Sequence, residues 1–520
     1  MTHRVVRTAR SALGILLRPQ IWSEARPRLA RAWRGAGGAE PGTWSRLVTT
    51  SGPSRRAAQA VVLLEDDAAQ RLAAEWHQTS WTPGQAFPST ASLAVAQWPA
   101  ARDQLVSFAD AARAAGVPLV VWDTDRVGAP APPEVGAPRV AADHERAREI
   151  GAVGTASGLV QPRLFNPVRS GGRVGERLEV RPGAVGSRLA PGTRRHDTVV
   201  LAGLGDGARW AAATAAATGA VVVATDRADV TPGLTIDGTG DDHVLRALAR
   251  HPELRGRHAH PSQREALGTH SAVTAAESLL RAAGLANLAA DRSVSAVVPT
   301  MRPGQIDHVM EFVARQVDVP VQLVLVMHGF DASAEAKASA RRHGVEDVVL
   351  VPADSARTLG SLMNLGIDAA DGRYVSKMDD DNYYGRHYLA DLVRTFDYTD
   401  AQVTGKWAHF TYLESTGATF LRFPGAEHRY TPLVQGGTLT LPREVAVRLR
   451  FEDLPRRVDT TFLEKVAADG GRVYSADPYN FVSVRSASTD GHTWKISDTE
   501  LLAKPSTQVF FGTPWHHVEV

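Results

Sequence analysis

The chain is 520 residues long, and at roughly 150 residues per domain this length predicts about two to four domains. Apolar residues make up 43% of it and charged residues 22%, which excludes wholesale disorder. The 58 basic and 56 acidic residues leave a net charge of +2, and the sequence contains no cysteine. Disulfides, thiolate metal sites and cysteine nucleophiles are therefore excluded, and the charge argues against a protein that coats polyanions.

The first 50 residues carry an excess of positive charge, because nine arginines and only two acidic residues lie there among apolar side chains. This composition predicts a basic amphipathic arm over residues 1–45, which would contact an anionic membrane surface peripherally through residues 1–35. A solvated arm is the alternative. No apolar run approaches the roughly 18 residues that span a bilayer, so we expect a cytoplasmic protein with at most this contact at the inner face of the membrane.

Strands and helices alternate along residues 46–287, where short apolar runs are separated by alanine-rich stretches. This alternation is typical of a doubly wound, parallel α/β sheet. We expect either one region or two subdomains divided near residue 190. The apolar runs that predict strands include Val61–Leu64, Val117–Trp122, Thr198–Leu201 and Ala220–Ala224.

A second α/β region is predicted over residues 288–505, followed by a C-terminal tail over residues 506–520. Its first strand turns at Pro299–Gly304 into a helix with one apolar face. The predicted strands are Val294–Val298, Val321–Val326, Val348–Val351 and Tyr374–Met378.

Three consecutive carboxylates, Asp379, Asp380 and Asp381, directly follow the last of these strands. Ligands bind at the carboxyl edge of α/β sheets, and alternate positions of an extended chain point to one side, so Asp379 and Asp381 can converge. Hard oxygen ligands at this spacing suit Mg²⁺ or Mn²⁺ together with substrate phosphates. A solvated acidic turn is the alternative, although adjacent carboxylates are unfavourable unless a positive charge neutralises them.

With other motifs in the same order, the Asp run makes residues 293–500 resemble a GT-A glycosyltransferase of the family 2 type. This resemblance implies a GT-A fold, a nucleotide-sugar donor, a divalent metal and inversion at the anomeric carbon. The matching stretches are Val298-Pro299-Thr300, the helix with Gly360 and Asn364-Leu365-Gly366, Ala370-Asp371-Gly372-Arg373-Tyr374, and the Asp run.

The resemblance implies that Asp459 is the base that takes the proton from the acceptor hydroxyl. The family pattern's first acid is Val458 here, so a single carboxylate carries this role. The alternative for Asp459 is a helix N-cap in front of residues 460–468.

The resemblance also implies binding roles, from which His328 departs because the family often carries an acid there. The implied ligands of Mn²⁺ or Mg²⁺ are Asp379, Asp381 and His492. The implied donor-binding residues are Pro299, Thr300, Arg302, His328, Asn364, Asp379 and Asp380. The implied acceptor-binding residues are Gln435, Gly436, Gly437 and Trp407.

Residues 45–285 resemble spore-maturation-type (CgeB-type), GT-B-like glycosyltransferase domains in the stretches 120–125, 160–167 and 258–280. The loop Gly203-Leu204-Gly205-Asp206-Gly207 follows a strand there, and its N–H groups could cradle a phosphate. A tight turn is the alternative, because the third glycine of the dinucleotide-binding pattern is missing. We expect a degenerate transferase-like module for acceptor binding or assembly.

These patterns predict a metal-dependent inverting glycosyltransferase of bacterial cell-surface polysaccharide synthesis. Its donor is expected to be a UDP-sugar, and its acceptor a glycan or lipid-linked glycan. The alternatives are a non-catalytic glycan- or nucleotide-binding scaffold and a bifunctional transferase with an active N-terminal domain. Nucleic acid is not an expected partner, since no binding motif accompanies the basic residues. The sequence leaves open a monomer or a homo-oligomer.

Overall fold

The computed structural model describes residues 56–125, 127–168, 175–181, 196–487 and 497–520. The chain divides into two compact units, an N-terminal unit that ends at Asp291 and a C-terminal unit whose described residues begin at Arg292. Each contains parallel strands with helices between them, so the α/β fold class predicted from the sequence is confirmed. The predicted arm over residues 1–45 lies outside the described residues.

The N-terminal unit contains two parallel sheets. Its strands are β1 (Gln59–Leu63), β2 (His77–Ser80), β3 (Leu93–Trp98), β4 (Leu119–Asp123), β5 (Arg139–Ala141), β6 (Gly154–Thr155), β7 (Gly175–Val180), β8 (His196–Leu201), β9 (Val221–Ala224) and β10 (Ile236–Asp237). The first sheet has the order β2-β1-β3-β4-β5-β6 and the second the order β10-β9-β8-β7. Neighbouring strands that run parallel must be joined by crossover connections, so their order in a sheet can differ from their order in the chain.

Helices of the N-terminal unit pack their apolar faces on these sheets. They are α1 (Asp66–Leu72), α2 (Arg102–Ala115), α3 (His144–Ile150), α4 (Ala208–Ala217), α5 (Asp242–Arg250), α6 (Pro252–Gly268) and α7 (Ala272–Ala282). In α2, the residues at helical spacing from Leu105 to Ala112 are buried, and the helix ends at Gly116 in a left-handed conformation. Helix α3 begins after Asp143, whose carboxylate accepts two backbone N–H groups of the first turn.

The C-terminal unit contains an eight-stranded and a five-stranded sheet. Its strands are β11 (Val294–Thr300), β12 (Val321–His328), β13 (Val348–Ala353), β14 (Tyr374–Lys377), β15 (Tyr383–Tyr384), β16 (Val403–Gly405), β17 (His409–Leu413), β18 (Ala418–Arg422), β19 (Arg429–Tyr430), β20 (Thr440–Pro442), β21 (Val473–Ser475), β22 (Phe481–Arg485) and β23 (Ser506–Phe511). The larger sheet has the order β13-β12-β11-β14-β20-β16-β21-β19, and the smaller one β15-β22-β17-β18-β23.

Strands β13, β12, β11 and β14 run parallel, and β20 pairs with β14 in the antiparallel sense. The central strands β11 and β12 are nearly continuous apolar runs and are buried, as expected where both faces of a sheet are covered. The helices are α8 (Ile306–Ala314), α9 (Ser333–His343), α10 (Leu359–Asp368), α11 (Tyr388–Arg394), α12 (Arg443–Leu449), α13 (Val458–Ala468), α14 (Asp498–Leu502) and α15 (Trp515–Val518).

The core of the C-terminal unit joins the large sheet to helices α10, α12 and α13. Val297 and Val326 of the sheet belong to one buried cluster with Met363 and Phe462 of the helices. Residues 506–520, which the sequence analysis separates as a tail, contain β23, paired with β18, and α15, in which Val518 is buried. None of the helices in the described segments is long and apolar enough to cross a bilayer.

Candidate active site

The Asp run lies at the carboxyl edge of the large sheet. It begins after β14 with Met378 between them, and β14 lies beside the parallel strand β11. Thr300 is the last residue of β11, and Arg302 lies two residues beyond it. Side chains from two neighbouring strands therefore meet at the edge where ligands of α/β sheets bind. The structure brings together Thr300, Arg302 and the three aspartates, all of which the sequence analysis selects.

Asp380 is the buried member of the run and is held by residues from the end of β11. The Arg302 guanidinium ion-pairs with it, with Nε 3.1 Å from Oδ2, and the Thr300 hydroxyl donates to the same carboxylate. Only 5% of Asp380 is exposed. Asp380 thus fixes the Arg302 loop against the Asp run.

Asp381 is more accessible, with 28% of its side chain exposed, and one guanidinium nitrogen of Arg302 lies 3.0 Å from its Oδ2. Burial and the negative charge of Asp379 raise the pKa of Asp381, although Arg302 acts in the opposite direction. Burial is the largest cause of this shift, followed by the charge of Asp379. The two alternate aspartates are therefore close enough to interact, as their spacing predicts.

Lys377 is a buried cation between two carboxylates. Its Nζ lies 2.6 Å from Oδ1 of Asp379 and 3.6 Å from Oδ1 of Asp459, and 3% of its side chain is exposed. Burial by itself lowers the pKa of this ammonium, but the charges of Asp379 and Asp459 outweigh it and raise the pKa above its usual value. Lys377 stays charged and joins the Asp run to the start of α13.

The turn Gln435–Thr438 packs directly against both carboxylates. A Cβ atom at Gly436 would lie 2.1 Å from Oδ2 of Asp459, and one at Gly437 would lie 2.5 Å from Oδ2 of Asp379. Only glycine permits these approaches. The Tyr384 hydroxyl accepts the N–H of Asp379 at 2.7 Å and donates to the carbonyl of Gly437 at 2.9 Å, which fixes the turn to the Asp run.

Asp459 lies at the second position of α13, because the helix begins at Val458 after Arg457 in a left-handed conformation. The helix predicted for residues 460–468 therefore starts two residues earlier, and the N-cap alternative for Asp459 is wrong. Its side chain is 30% exposed. Burial raises the pKa of Asp459, with Asp379 acting in the same direction and Lys377 in the opposite one. Its Oδ1 is buried beside the Lys377 ammonium. A carboxylate with a raised pKa can accept a proton from a bound hydroxyl.

The balance of charge at the site suits a divalent cation. The four carboxylates of Asp379, Asp380, Asp381 and Asp459 face two cations, Lys377 and Arg302, so four negative charges minus two positive charges leave two. Exposed oxygens of Asp379 and Asp381 are hard ligands of the type that Mg²⁺ and Mn²⁺ prefer. His492, the third ligand implied by the resemblance, lies outside the described residues.

A cavity of about 620 Å³ adjoins Asp381 on the side of α8. His308 and Phe312 of α8, Tyr383 after the Asp run, and Trp515 of α15 contribute to its lining. The rings of Tyr383 and Trp515 stack with centroids 4.7 Å apart, and the Tyr383 hydroxyl donates to Glu519 at 2.5 Å. The residues after 506 therefore contribute a wall beside the Asp run.

Other predicted site residues contact different parts of the C-terminal unit. His328 ends β12, and its Nε2 lies 3.0 Å from the Ser355 carbonyl. The Asn364 amide donates to and accepts from the backbone of Phe451, both at 2.9 Å, so this side chain fastens α10 to the chain after α12. Pro299 lies within β11.

Trp407 stacks on Phe423, with ring centroids 4.2 Å apart and planes 9° apart. It follows Lys406, whose carbonyl accepts the N–H of Gln435 at 2.9 Å. Through this hydrogen bond the residue before Trp407 is tied to Gln435, at the start of the glycine turn.

In the N-terminal unit the glycine loop after β8 is bound by a side chain of the protein. The carboxylate of Asp229, which is fully buried, accepts the N–H groups of Leu204 and Gly205 at 2.9–3.0 Å. Because these donors are taken by Asp229, the loop serves here as a turn rather than as an open phosphate cradle. The glycine motif does not indicate that Asp229 binds the loop, because Asp229 follows β9, the next strand along the chain.

Two residues of the site have roles that the sequence analysis does not assign. The sequence signal for Lys377 is a rare lysine at the end of a predicted strand, where a buried cation requires a partner. The signal for Tyr384 is only an aromatic residue after the Asp run. Their contacts with Asp459 and Gly437 join segments that are distant in the chain.

No protein-family model matches the sequence, and no curated protein is similar to it. Solved structures that match include the mannosyltransferase PcManGT from Pyrobaculum calidifontis in complex with GDP-Man and Mn²⁺, at 18% identity and a TM-score of 0.30, with 39% of this chain and 58% of that chain covered. TarS from S. aureus in complex with UDP-GlcNAc matches at 16% identity and a TM-score of 0.31, with 39% of this chain and 62% of the TarS chain covered. This chain thus spans about three fifths of their lengths. At these identities and TM-scores the likeness assigns neither a family nor an activity.

Proposed function

We propose that the C-terminal unit is a metal-dependent inverting glycosyltransferase of the GT-A, family 2 type. The observation that carries this proposal is the arrangement of Asp379 and Asp459 on either side of the Lys377 ammonium, against a glycine turn at the carboxyl edge of the sheet. It supplies ligands for a metal and a candidate base within one accessible group of residues.

Asp381 and Asp379 would hold the Mn²⁺ or Mg²⁺ ion, which when bound offsets the charge of the leaving diphosphate. Thr300 and Arg302, fixed by Asp380, would border the nucleotide of the donor. We propose a UDP-sugar as donor. The charge excess of two negative units at the site is the support for a divalent cation in this role.

Asp459 would take the proton from the acceptor hydroxyl through its carboxylate. The acceptor oxygen, as it loses its proton to Asp459, attacks the anomeric carbon. The bond from that carbon to the diphosphate oxygen breaks, and the nucleoside diphosphate leaves with the electron pair. Configuration inverts because attack and departure occur on opposite faces of the sugar. Such a base contributes about 10²–10⁴-fold to the rate. Gln435, Gly436, Gly437 and Trp407 would contact the acceptor; Gly436 of this group borders Asp459.

We place the chemistry in the C-terminal unit alone. In the N-terminal unit Asp229 takes the N–H groups of the glycine loop, which disfavours the bifunctional alternative. That unit would bind acceptor or support assembly in bacterial cell-surface polysaccharide synthesis, with residues 1–35 contacting the membrane peripherally. The scaffold alternative predicts no turnover with any donor.

The direct test is a thermal-shift and donor-hydrolysis screen of UDP- and GDP-sugars on the full chain, with and without Mn²⁺. Stabilisation by one donor that needs Mn²⁺, together with slow release of the nucleotide, supports the enzyme. If no donor stabilises the protein and no nucleotide is released, the enzyme proposal is contradicted and the scaffold alternative is supported.

A further inference from the structure

The Arg302 side chain contacts both Asp380 and Asp381, the second and third members of the Asp run. Its Nε lies 3.1 Å from Oδ2 of Asp380, and its Nη2 ion-pairs with the other oxygen of that carboxylate. The same Nη2 lies 3.0 Å from Oδ2 of Asp381. Of the side chains that the structure describes, only Arg302 ion-pairs with Asp381. A guanidinium therefore compensates the charge of one of the two proposed metal ligands.

The two contacts of Arg302 differ in how firmly they are held. Asp380 is 5% exposed, takes two nitrogens along one edge of the guanidinium, and also accepts the Thr300 hydroxyl. The side chain of Asp381 is 28% exposed and takes one nitrogen. A buried carboxylate is costly to leave without its cation, whereas a single, partly exposed contact contributes little. The contact with Asp381 is therefore the one that Arg302 can exchange.

The guanidinium has a second edge that can receive a ligand. The Arg302 side chain is 32% exposed, and its Nη1 has no acceptor in the described part of the chain. Nη1 and Nη2 can thus bind an anion while Nε and Nη2 stay on Asp380. Phosphate oxygens match two such parallel donors. Lys377, which is 3% exposed and lies between Asp379 and Asp459, has no comparable freedom.

Arg302 and a divalent cation would share the carboxylate of Asp381. Two cations on one carboxylate repel each other, so each weakens the binding of the other. An anionic diphosphate removes this conflict, because it attracts the guanidinium and the divalent cation alike. The contact at 3.0 Å thus places Arg302 as a competitor at the site until a phosphate group takes its free edge.

We propose that Arg302 competes with the divalent cation for Asp381 and binds the donor's diphosphate instead when a donor is present, so that metal and donor bind cooperatively. Because such coupling is reciprocal, the affinity for the donor rises by the same factor when the metal is bound. This regulation of the site rests on the proposed function. It adds a reason why the metal would be retained with the nucleotide and released without it.

The test is titration of the full chain with Mn²⁺, in which the free ion is measured by electron paramagnetic resonance. The variant combines Arg302→Met with Asp380→Asn, so that no buried carboxylate is left unpaired and the net charge of the site is unchanged. Without nucleotide, we expect Mn²⁺ to bind this double variant about threefold more tightly or better, the effect of losing a partly exposed competing ion pair. An affinity equal to that of the wild type, or weaker, overturns the proposal.

The matched control combines Arg373→Met with Glu444→Gln. It removes an exposed ion pair beside the start of β14, whereas the Asp run follows the end of that strand. Mn²⁺ should bind this control as it binds the wild type. Equal tightening in the control would show that the effect does not depend on contact with Asp381, and would also overturn the proposal.

A second measurement needs no variant and separates this inference from the proposed function. In the wild type, UDP or GDP should tighten Mn²⁺ binding, and the same nucleotide should tighten it less in the double variant. Mn²⁺ binding that neither nucleotide changes contradicts this inference and leaves the metal site standing. No Mn²⁺ binding with or without nucleotide contradicts both proposals. If the double variant binds Mn²⁺ more tightly but no donor is hydrolysed by the wild type, this inference stands and the proposed transfer is wrong.

Discussion

The Lys377 ammonium lies 3.6 Å from Oδ1 of Asp459, although one residue ends a strand and the other begins a helix. The same ammonium is 2.6 Å from Asp379. This contact orders the candidate base relative to the Asp run, and it holds Asp459 against the glycine turn. Lys377 is therefore the shared counter-ion of Asp379 and Asp459.

Asp459→Asn should leave donor binding unchanged and reduce transfer by about 10²–10⁴-fold, because the amide cannot accept the proton of the acceptor hydroxyl. Donor binding is measured by thermal shift with Mn²⁺, and transfer by nucleotide release. Asp469→Asn, which changes the acidic residue directly after α13 that pairs with Arg448, is the control and should behave as the wild type. Near wild-type turnover in Asp459→Asn would show that another group is the base.

Lys377→Met should destabilise the protein by about 1–3 kcal/mol, because Asp379 and Asp459 lose their shared counter-ion while remaining about one-third exposed. In the double variant with Asp459→Asn the two costs should not add, since one of the repelling charges is gone. We expect a coupling of about 0.5–3 kcal/mol in chemical denaturation. Additive effects would mean that Lys377 and Asp459 do not interact.

Asp381→Asn should abolish the Mn²⁺-dependent part of the donor's thermal shift, because it removes one of the two carboxylates that we propose as metal ligands. Direct Mn²⁺ binding, followed by the loss of the free-ion signal in electron paramagnetic resonance, should weaken in parallel. Asp331→Asn, an exposed aspartate after β12, serves as the control. Unchanged Mn²⁺ affinity in Asp381→Asn would refute the ligand assignment.

His270 makes the stability of the N-terminal unit depend on pH. Burial and then Arg209 lower its pKa from 6.5 to about 4 in the folded protein. The unfolded chain therefore binds the proton more readily, and stability falls as the pH drops from 6.5 towards 4, by about 1.4 kcal/mol per pH unit for one group.

The check is urea denaturation of the full chain at pH 7, 6 and 5, comparing the wild type with His270→Gln. The wild type's free energy of unfolding should fall relative to that of the variant as the pH is lowered. A difference that stays constant between pH 7 and pH 5 would mean that His270 titrates alike in both states.

Asp229→Ala should destabilise the N-terminal unit by about 1–3 kcal/mol, because the N–H groups of Leu204 and Gly205 lose the buried carboxylate that accepts them. Donor hydrolysis should be unaffected if the chemistry resides in the C-terminal unit. Asp237→Ala, which removes a turn contact of an exposed aspartate, is the matched control for stability. Loss of hydrolysis in Asp229→Ala without loss of stability would restore the N-terminal unit as a candidate for catalysis.

The sequence by itself was sufficient for the class of fold and for part of the site. Apolar runs at strand length, separated by helical stretches, predict a parallel α/β sheet because only that pattern buries both faces of each strand. The Asp run after β14 and Thr300 and Arg302 after β11 converge because carboxyl ends of neighbouring parallel strands share an edge. These residues are local to their strands, so their placement follows from strand order.

Only the tertiary structure decided which charges compensate one another. Lys377 pairs with Asp459 and Asp229 takes the donors of the glycine loop, and neither relationship follows from spacing along the chain. Each depends on how strands and helices distant in sequence pack. Burial increases the energetic importance of each pairing, because a charge removed from water must be compensated by groups within a few ångströms of it.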